Sequence, residues 1–446
     1  MQHRWLLLLL LMLLAGSSRQ LGVGAWGTEI SSSVSIFRTM ELTDVEYIDG
    51  KMATRCEHMV DRAGQTGSTK LNFVVTQFFL DRNYDNIPDS YCHKPGSTDK
   101  CEPFTQDFID AWTKAFIPCL EYAVKAGFDI AFTPHLDDGL ASGVWRNAQL
   151  INPVAKYGGF SYTDIMLLPL AQAMAAVMTP RTRVWYALQG EMSAMVTAFP
   201  AEHQKLLPYI KQVILGSHPE WAPNVRLGVS TNYNKLCGMG ACQNPSPAQK
   251  AAVQALYNAV DFVGLSSYPR FKNAVSDMED ATEIFNYEML EFGIDIAKLT
   301  TEGGKELVFN EFGVGGGISP SGDQPARTSE QAAESPFFGV YGGYTRKTDP
   351  WRNSLPPNVL SDTRQYLETW YRAAALWLKR KGGPRWRVDH VFLWNLNSWD
   401  VQGVHMQSTN KEGSYRNEVV SAIIKSHNLA LRGLGSIDNP GSYPTY

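Results

Sequence analysis

The chain has 446 residues, of which 44% are hydrophobic, and this is enough apolar surface to bury a large core. The formal net charge is −4, the pI is near 6.2, and no long run of Lys and Arg occurs. Because phosphate binding needs clustered basic side chains, this composition argues against a nucleic-acid partner.

The N-terminus has the pattern of a secretory signal peptide. Arg4 precedes an apolar run from Trp5 to Ala15, and small residues follow that run. A run of about eleven residues is too short to span a bilayer as a helix, so residues 1–25 are interpreted as a leader that is removed. The sequence does not choose between cleavage near Ser17 and near Ala25. The mature protein is expected to be secreted and to have no contact with a membrane.

Short apolar or β-branched runs recur along the chain, and a polar loop and a longer amphipathic stretch follow each one. Continuous apolar strands that alternate with helices indicate a parallel sheet buried on both faces. Their number predicts an α/β fold, a (β/α)8 TIM barrel that forms one catalytic domain over 26–430, before a C-terminal tail at 431–446. An open doubly wound sheet is the alternative. The predicted strands lie at 26–35, 71–80, 128–135, 183–191, 225–232, 260–268, 306–313 and 390–397, and the clearest helices at 161–178, 202–216, 247–259 and 362–380.

Polar residues stand where several of the predicted strands end. In a TIM barrel the carboxyl ends of all strands meet at one face, where the active sites of this fold lie. An open sheet would spread the same residues along an edge. The residues concerned are His135, Asp137, Asp138, Glu191, Asn232, Tyr268, Glu311, Trp394 and Asn397.

Glu191 and Glu311 are the most informative of these residues. Each ends an apolar run, in VWYALQGE and ELVFNEFG, and charged side chains seldom lie beside buried apolar residues unless they are paired or functional. One such glutamate could be a first-turn residue favoured by the helix dipole, but two in equivalent positions indicate chemistry. Cleavage of a glycosidic bond needs this pair, because one carboxylic acid protonates the departing oxygen while an ionised carboxylate attacks the anomeric carbon.

Catalytic glutamates at the ends of strands four and seven of a TIM barrel are the mark of clan A retaining glycoside hydrolases, which this sequence resembles. The resemblance implies that Glu191 is the acid/base and Glu311 the nucleophile. It also implies that Tyr268, in VGLSSYPRF, hydrogen-bonds the nucleophile. Trp394, in VFLWNLNSW, matches the strand-eight tryptophan on which the sugar stacks.

A finer resemblance lies in the segment TPHLDDGLASGVWRNAQLINP at 133–153, which is similar to the loop after strand three of glycoside hydrolase family 113, the β-1,4-mannanases. In that family a K-P-H-x-D segment and a following W-R line the substrate cleft. Further residues are candidates on their type and position alone, as hydroxyl partners or as stacking platforms. The resemblance implies substrate binding by His135, Asp137, Trp145 and Arg146, and the further candidates are Asn232, Asn397, Trp185 and Trp399.

Three features depart from the family pattern. Thr133 stands where the family has lysine. Gly190 precedes Glu191, whereas most clan A enzymes have an asparagine there that can bind the sugar 2-hydroxyl. The segment 312–360 is rich in Gly, Ser and Pro and has no clear counterpart. These departures bear on the identity of the sugar more than on the reaction.

The chain has six cysteines, and an even number after a signal peptide favours disulfides, with 15 possible connectivities. No C-x-x-C occurs and neither of the two closely spaced cysteine pairs has a His at zinc-ligand spacing, so no metal site is predicted. Close spacing favours Cys92–Cys101 and Cys237–Cys242, which leaves Cys56–Cys119.

The sequence therefore predicts a secreted, monomeric, retaining glycoside hydrolase that needs no metal or cofactor. Its partner is expected to be a polysaccharide or oligosaccharide, with β-1,4-mannan as the leading substrate. The alternatives are a clan A enzyme for another β-glycan such as galactan or glucan, an exo-acting β-glycosidase, and a barrel that binds carbohydrate without cleaving it. A phosphate-binding loop at 312–319 is not supported, because Ile318 takes the place of the third glycine.

Overall fold

The structure is a computed structural model that describes residues 27–48, 50–233, 236, 244–269, 271, 274–313, 357–396 and 418–433. The predicted signal peptide, the Cys237–Cys242 bridge, Asn397, Trp399 and most of the segment 312–360 lie outside the described residues.

Eight parallel strands close into a barrel. Each strand pairs with its neighbours in chain order, and the first strand pairs with both the second and the last, so the ring is complete. This closure confirms the predicted (β/α)8 TIM barrel and excludes the open sheet. The strands are β1 Ile30–Ile36, β2 Lys70–Leu80, β3 Asp129–Phe132, β4 Val184–Gly190, β5 Val225–Asn232, β6 Phe262–Ser267, β7 Glu306–Phe312 and β8 Val388–Leu396.

Helices connect successive barrel strands, and a continuous hydrophobic core lies between helices and sheet. No helix in the described part of the chain is long and apolar enough to cross a membrane. The α-helices are α1 Met40–Thr43, α2 Arg55–Gly64, α3 Gln106–Lys125, α4 Leu168–Ala175, α5 Ser193–Ala198, α6 Pro200–Leu215, α7 Pro247–Ala259, α8 Asp280–Leu290, α9 Ile296–Thr301, α10 Pro357–Leu378 and α11 Glu418–Leu431.

Shorter elements lie in the loops. The helix predicted at 161–178 begins as a π-helical turn over Thr163–Leu167 before α4. Pro169, early in α4, has no backbone N–H to donate, so the regular hydrogen-bond ladder is interrupted there. The remaining elements are the 3-10 turns Arg146–Ala148, Pro219–Asn224 and Val275–Glu279, and the short strands Val45–Ile48, Lys51–Thr54, Ser90–His93, Glu102–Pro103, His135–Asp138, Lys156–Tyr157 and Phe160–Ser161.

Trp185 does not belong to the substrate cleft, which corrects its assignment as a candidate stacking residue. It is the second residue of β4, and its indole Nε1 donates to Glu306 Oε2 at 2.6 Å. Glu306 is the first residue of β7, so both side chains lie at the amino end of the barrel, opposite the face where the strands end. Trp185 is 3% exposed and packs in an apolar cluster with Phe262 and Phe392.

Two predicted disulfides are present, Cys56–Cys119 between α2 and α3, and Cys92–Cys101 within the loop after β2.

Replacing Cys119 with Ser is expected to lower the free energy of unfolding by about 2–4 kcal/mol, since the bridge restricts the unfolded chain. This bridge spans a sequence separation of 63, whereas Cys92–Cys101 spans 9. Thermal unfolding of the variant and of Cys101→Ser measures the effect. A larger loss for the shorter loop would contradict the chain-entropy explanation.

Candidate active site

Glu191 and Glu311 both lie at the carboxyl-terminal face of the barrel. Glu191 directly follows β4, and Glu311 is the last residue but one of β7. Glu191 is 6% exposed and Glu311 is 2% exposed. The Glu191 backbone has φ 56°, a left-handed conformation that is uncommon and costly for a residue with a side chain. Met192, not Glu191, is the N-cap of α5, and the Glu191 carboxylate accepts a hydrogen bond from Arg146, so Glu191 is not a helix-start residue.

The carboxylate of Glu311 has one oxygen in a hydrogen bond and one oxygen without a hydrogen-bond partner. The Tyr268 hydroxyl donates to Oε2 at 2.7 Å. The imidazole Nε2 of His135 lies 2.9 Å from Oε1, which is within ion-pair distance. The angles of this approach are not those of a hydrogen bond, and both atoms are buried without a hydrogen-bond partner. Tyr268 therefore fixes the carboxylate, and Oε1 remains available.

Arg146 joins the loop after β3 to Glu191. Its Nη2 donates to Glu191 Oε2 at 2.6 Å, and its Nη1 donates to Asp137 Oδ1. Asp137 lies in the short strand that pairs with the end of β2, and Arg146 begins a 3-10 turn. The neighbouring Asn147 accepts a hydrogen bond from the backbone N–H of Ser193 at 2.8 Å, which fixes this turn against α5.

Burial raises the pKa of both glutamates. For Glu311, burial takes the pKa to about 7, the Asp137 charge adds to the increase, and Arg146 and the Tyr268 hydroxyl oppose it. For Glu191, burial is again the main cause and the charge of Glu311 the second, while Arg146 lowers the pKa. The charge of Glu311 therefore disfavours ionisation of Glu191, so the two carboxyls are harder to ionise together than Glu191 is alone.

His135 and Trp394 complete the surroundings of the pair. Burial, and then the Arg146 charge, lower the His135 pKa to about 3, so its imidazole is neutral. Its ring stacks on the Trp394 indole with 5.8 Å between centroids and an interplanar angle of 27°. Trp394 is on β8 and only half-buried, so part of this aromatic surface is open beside the glutamates.

The structure brings most of the predicted site residues together. Trp145 immediately precedes Arg146 and is half-buried, but no described contact joins its side chain to the pair. Asn232 is the last residue of β5, at the correct face, and its backbone N–H donates to the Ser193 hydroxyl at 3.3 Å. Asn397 lies outside the described residues. Two groups of contacting residues lie at this face, Asp137–Arg146–Glu191 and Tyr268–Glu311–His135–Trp394, and the charge of Glu311 acts on Glu191 between them.

Sequence reasoning missed a buried polar network inside the barrel. Asn72 donates to Ser33 Oγ at 3.1 Å and to the carbonyl of Asn310 at 3.0 Å. Thr133 donates to Asn72 Oδ1 at 3.0 Å and accepts from Asn310 Nδ2 at 2.9 Å. Because Asn310 immediately precedes Glu311, the network holds the backbone that carries this carboxylate. The available signal was a polar residue inside an apolar strand run, as in LNFVV and VFNEF.

The site offers acid–base and nucleophilic groups rather than a metal-ligand set. Within the described ranges, no group of three or more His, Cys, Asp or Glu side chains is arranged to hold a metal ion. The arrangement combines a buried carboxyl pair with a raised proton affinity, a hydroxyl that orients one carboxylate, and a guanidinium on the other. Such a pair can deliver a proton and a nucleophile to one bound substrate.

No protein-family model and no curated protein matches the sequence. Among solved structures, the chain is similar to the GH113 β-mannanase AaManA from Alicyclobacillus acidocaldarius in complex with ManMIm, with 11% identity over 91% of this chain and 99% of that chain and a TM-score of 0.49. For another GH113 β-1,4-mannanase the identity is 11%, the coverage 90% and 100%, and the TM-score 0.46. For the catalytic domain of a Bacillus sp. JAMB-750 GH26 endo-β-1,4-mannanase, the identity is 14% over 92% of this chain and 87% of that chain, and the TM-score is 0.41. At these identities and scores the likeness assigns neither a substrate nor a residue role to this chain.

Proposed function

We propose that the protein is a retaining glycoside hydrolase in which Glu191 is the acid/base and Glu311 the nucleophile. The observation that carries the proposal is the buried glutamate pair at the carboxyl-terminal face of the barrel, with Tyr268 on one oxygen of Glu311. One carboxyl that keeps its proton, beside one that is ionised, supplies both parts of a double displacement. The catalytic domain would extend over 26–430.

In the first step, the Glu311 carboxylate attacks the anomeric carbon through Oε1, and Glu191 gives its proton to the departing oxygen. The bond from the anomeric carbon to the leaving group breaks as the glycosyl–Glu311 bond forms. In the second step, Glu191 takes a proton from water, which attacks the same carbon and releases Glu311. The Tyr268 hydroxyl, hydrogen-bonded to Oε2 at 2.7 Å, holds the nucleophile through both steps.

Arg146 fits a role in the charge balance of this cycle. Its guanidinium contacts Glu191, so it stabilises the carboxylate that remains once Glu191 has given up its proton. Asp137, the second partner of Arg146, offsets part of the positive charge, so Glu191 can still hold a proton before the reaction. The guanidinium is 16% exposed, which makes its charge effective because little water screens it.

The leading substrate is β-1,4-mannan, and the similarity of 133–153 to the family 113 cleft segment supports this choice. The signal-like N-terminus and the two disulfides support secretion, because disulfides persist in oxidising compartments. The half-buried Trp394 indole, stacked on His135 beside the pair, suits the apolar face of a pyranose ring.

A screen on mannan, glucomannan, galactan and β-glucan, with product anomers followed by NMR, tests the proposal. Retention of the β configuration in the first-formed product, with greatest activity on mannan, is the expected result. Activity on galactan or glucan alone would change the proposed substrate but leave the proposed mechanism in place. Binding to these glycans without cleavage would instead identify a carbohydrate-binding barrel.

The pH profile of kcat/KM is expected to shift upward when Arg146 is replaced with Met. Arg146 lowers the pKa of both Glu191 and Glu311, so its removal raises both pKa values and moves both limbs of the profile to higher pH. Arg183→Met is the control, because Arg183 pairs with Asp129 at the amino end of the barrel. A downward shift, or equal profiles for Arg146→Met and the wild type, would contradict the assigned role.

A further inference from the structure

The space that a side chain at position 190 would occupy is already filled. A Cβ on Gly190 would lie 2.5 Å from Cδ2 and 2.6 Å from Nε2 of His135, and 2.5 Å from Cγ2 of Thr133. Carbon and nitrogen atoms do not pack at such distances in protein interiors. Glycine at this position, next to Glu191, is therefore what allows the His135 imidazole to reach across the barrel mouth.

The His135 ring reaches Glu311 but completes no hydrogen bond with it. Its Nε2 is buried, lies 2.9 Å from Glu311 Oε1, and has no hydrogen-bond partner. A buried polar atom without a partner is costly, and at the mouth of a catalytic site a bound substrate can supply the missing bond. The unused hydrogen-bonding capacity of Nε2 therefore points to a substrate group that binds beside Oε1.

Stereochemistry identifies that group. Since Tyr268 holds Oε2, Oε1 is the oxygen free to bond to the anomeric carbon. The hydroxyl on C2, the next ring carbon, then lies beside Oε1. Because Nε2 of His135 lies 2.9 Å from Oε1, this hydroxyl is within hydrogen-bond range of Nε2. Hydrogen bonds to this hydroxyl strengthen in the transition state of glycoside hydrolysis.

We infer that His135, given its place by the missing side chain at Gly190, binds the C2 hydroxyl of the sugar that Glu311 attacks. The inference deepens the proposed function and rests on it. Mannose and glucose differ only in the orientation of this hydroxyl, so His135 is the residue through which the site distinguishes a mannan from a glucan. Nε2 contacts the substrate directly, while Glu311 performs the attack.

The test compares kcat/KM for an aryl β-mannoside, the aryl β-glucoside, and the 2-deoxy glycoside that both become when the C2 hydroxyl is removed. For the wild type, loss of the hydroxyl is expected to cost about 100-fold or more, as for a contact strengthened in the transition state. His135→Ala should reduce this penalty to a few-fold and reduce the preference between mannoside and glucoside. His135→Gln, which restores an amide donor, should recover part of both. Ratios of kcat/KM are independent of the fraction of active protein, so partial misfolding of a variant does not affect them.

Gly190→Ala is the second variant that tests the role of His135. Its Cβ would displace the imidazole, so this variant should lose discrimination at C2 as His135→Ala does, and the double variant should lose no more than either one. An unchanged 2-deoxy penalty in His135→Ala would overturn the inference while leaving the proposed function intact. No turnover of any glycoside by the wild type would contradict the proposed function instead. Calorimetric affinity for the hydroxylated and 2-deoxy sugars would then decide whether His135 binds C2.

Discussion

Glu311→Gln is expected to lower kcat/KM by about four orders of magnitude or more, the loss typical of removing a covalent nucleophile. Glutamine has nearly the same shape and can still accept the Tyr268 hydrogen bond on its amide oxygen, so the barrel should remain folded. The amide cannot form the glycosyl ester, so no second step follows. Rates on aryl glycosides, with circular dichroism as the check on folding, measure the effect. Near-wild-type hydrolysis would make the nucleophile assignment wrong.

The same variant should be more stable than the wild type at high pH. Burial raises the Glu311 pKa from 4.5 to about 7, so the folded state binds this proton more tightly than the unfolded chain does. The contribution of this proton to stability is complete below pH 4.5 and is lost as pH rises through 7, a change of about 3 kcal/mol. Glutamine does not titrate, so the gain in Tm should appear at pH 8 and shrink at pH 4.

Glu306→Gln is the matched control for this stability effect, because it makes the same chemical change on the same strand. Burial raises the Glu306 pKa, but the hydrogen bonds from His390 and Trp185, together with the charges of His390 and Arg226, outweigh burial and leave the pKa lowered. Its carboxylate therefore stabilises the folded state above the pKa of the unfolded chain, and the control should lose stability at pH 8. A stabilised control, or a Glu311→Gln variant without any gain at pH 8, would contradict the electrostatic description of the site.

Glu191→Ala is expected to reduce turnover by about 100- to 10,000-fold on glycans, the usual contribution of general acid catalysis. An alkoxide leaves poorly without a proton, whereas an acidic phenol leaves well, so an aryl glycoside with a nitrated phenol should lose far less in the first step. Added azide should then restore turnover, because this anion attacks the glycosyl–enzyme without needing a general base. Equal losses for both leaving groups and no response to azide would show that Glu191 is not the acid/base.

The barrel could be predicted from the sequence because each strand has its own apolar pattern within a few consecutive residues. The apolar runs from LNFVVTQFFL to HVFLWNLN are continuous rather than alternating, which is typical of strands buried on both faces. Polar residues at the ends of these runs could be assigned to one face once the barrel was chosen. Trp185 is a candidate on residue type alone, but it is the second residue of β4 and so lies at the opposite end of the barrel.

The contacts within the site could not be predicted, because they join residues distant in the chain. The sequence places Arg146 near the cleft, but only the folded loop shows that its guanidinium contacts Glu191, 45 positions away. Gly190 reads as a departure from the clan A pattern, and its physical reason is the His135 ring, which belongs to a different strand. Such packing relations depend on the three-dimensional positions of β3 and β4, which hydrophobic patterning does not specify.

In the proposed mechanism Glu311 forms a covalent bond with the sugar, and trapping of that intermediate tests it directly. In an activated 2-deoxy-2-fluoro β-glycoside the fluorine slows both steps, while the good leaving group keeps the first step faster than the second. The intermediate therefore accumulates. Mass spectrometry of the intact protein and of its peptides then locates the added sugar. We expect one sugar per chain, attached at Glu311 in the peptide that contains ELVFNEFG, and no label in Glu311→Gln. Active protein that never carries a label, or a label on another residue, would contradict it.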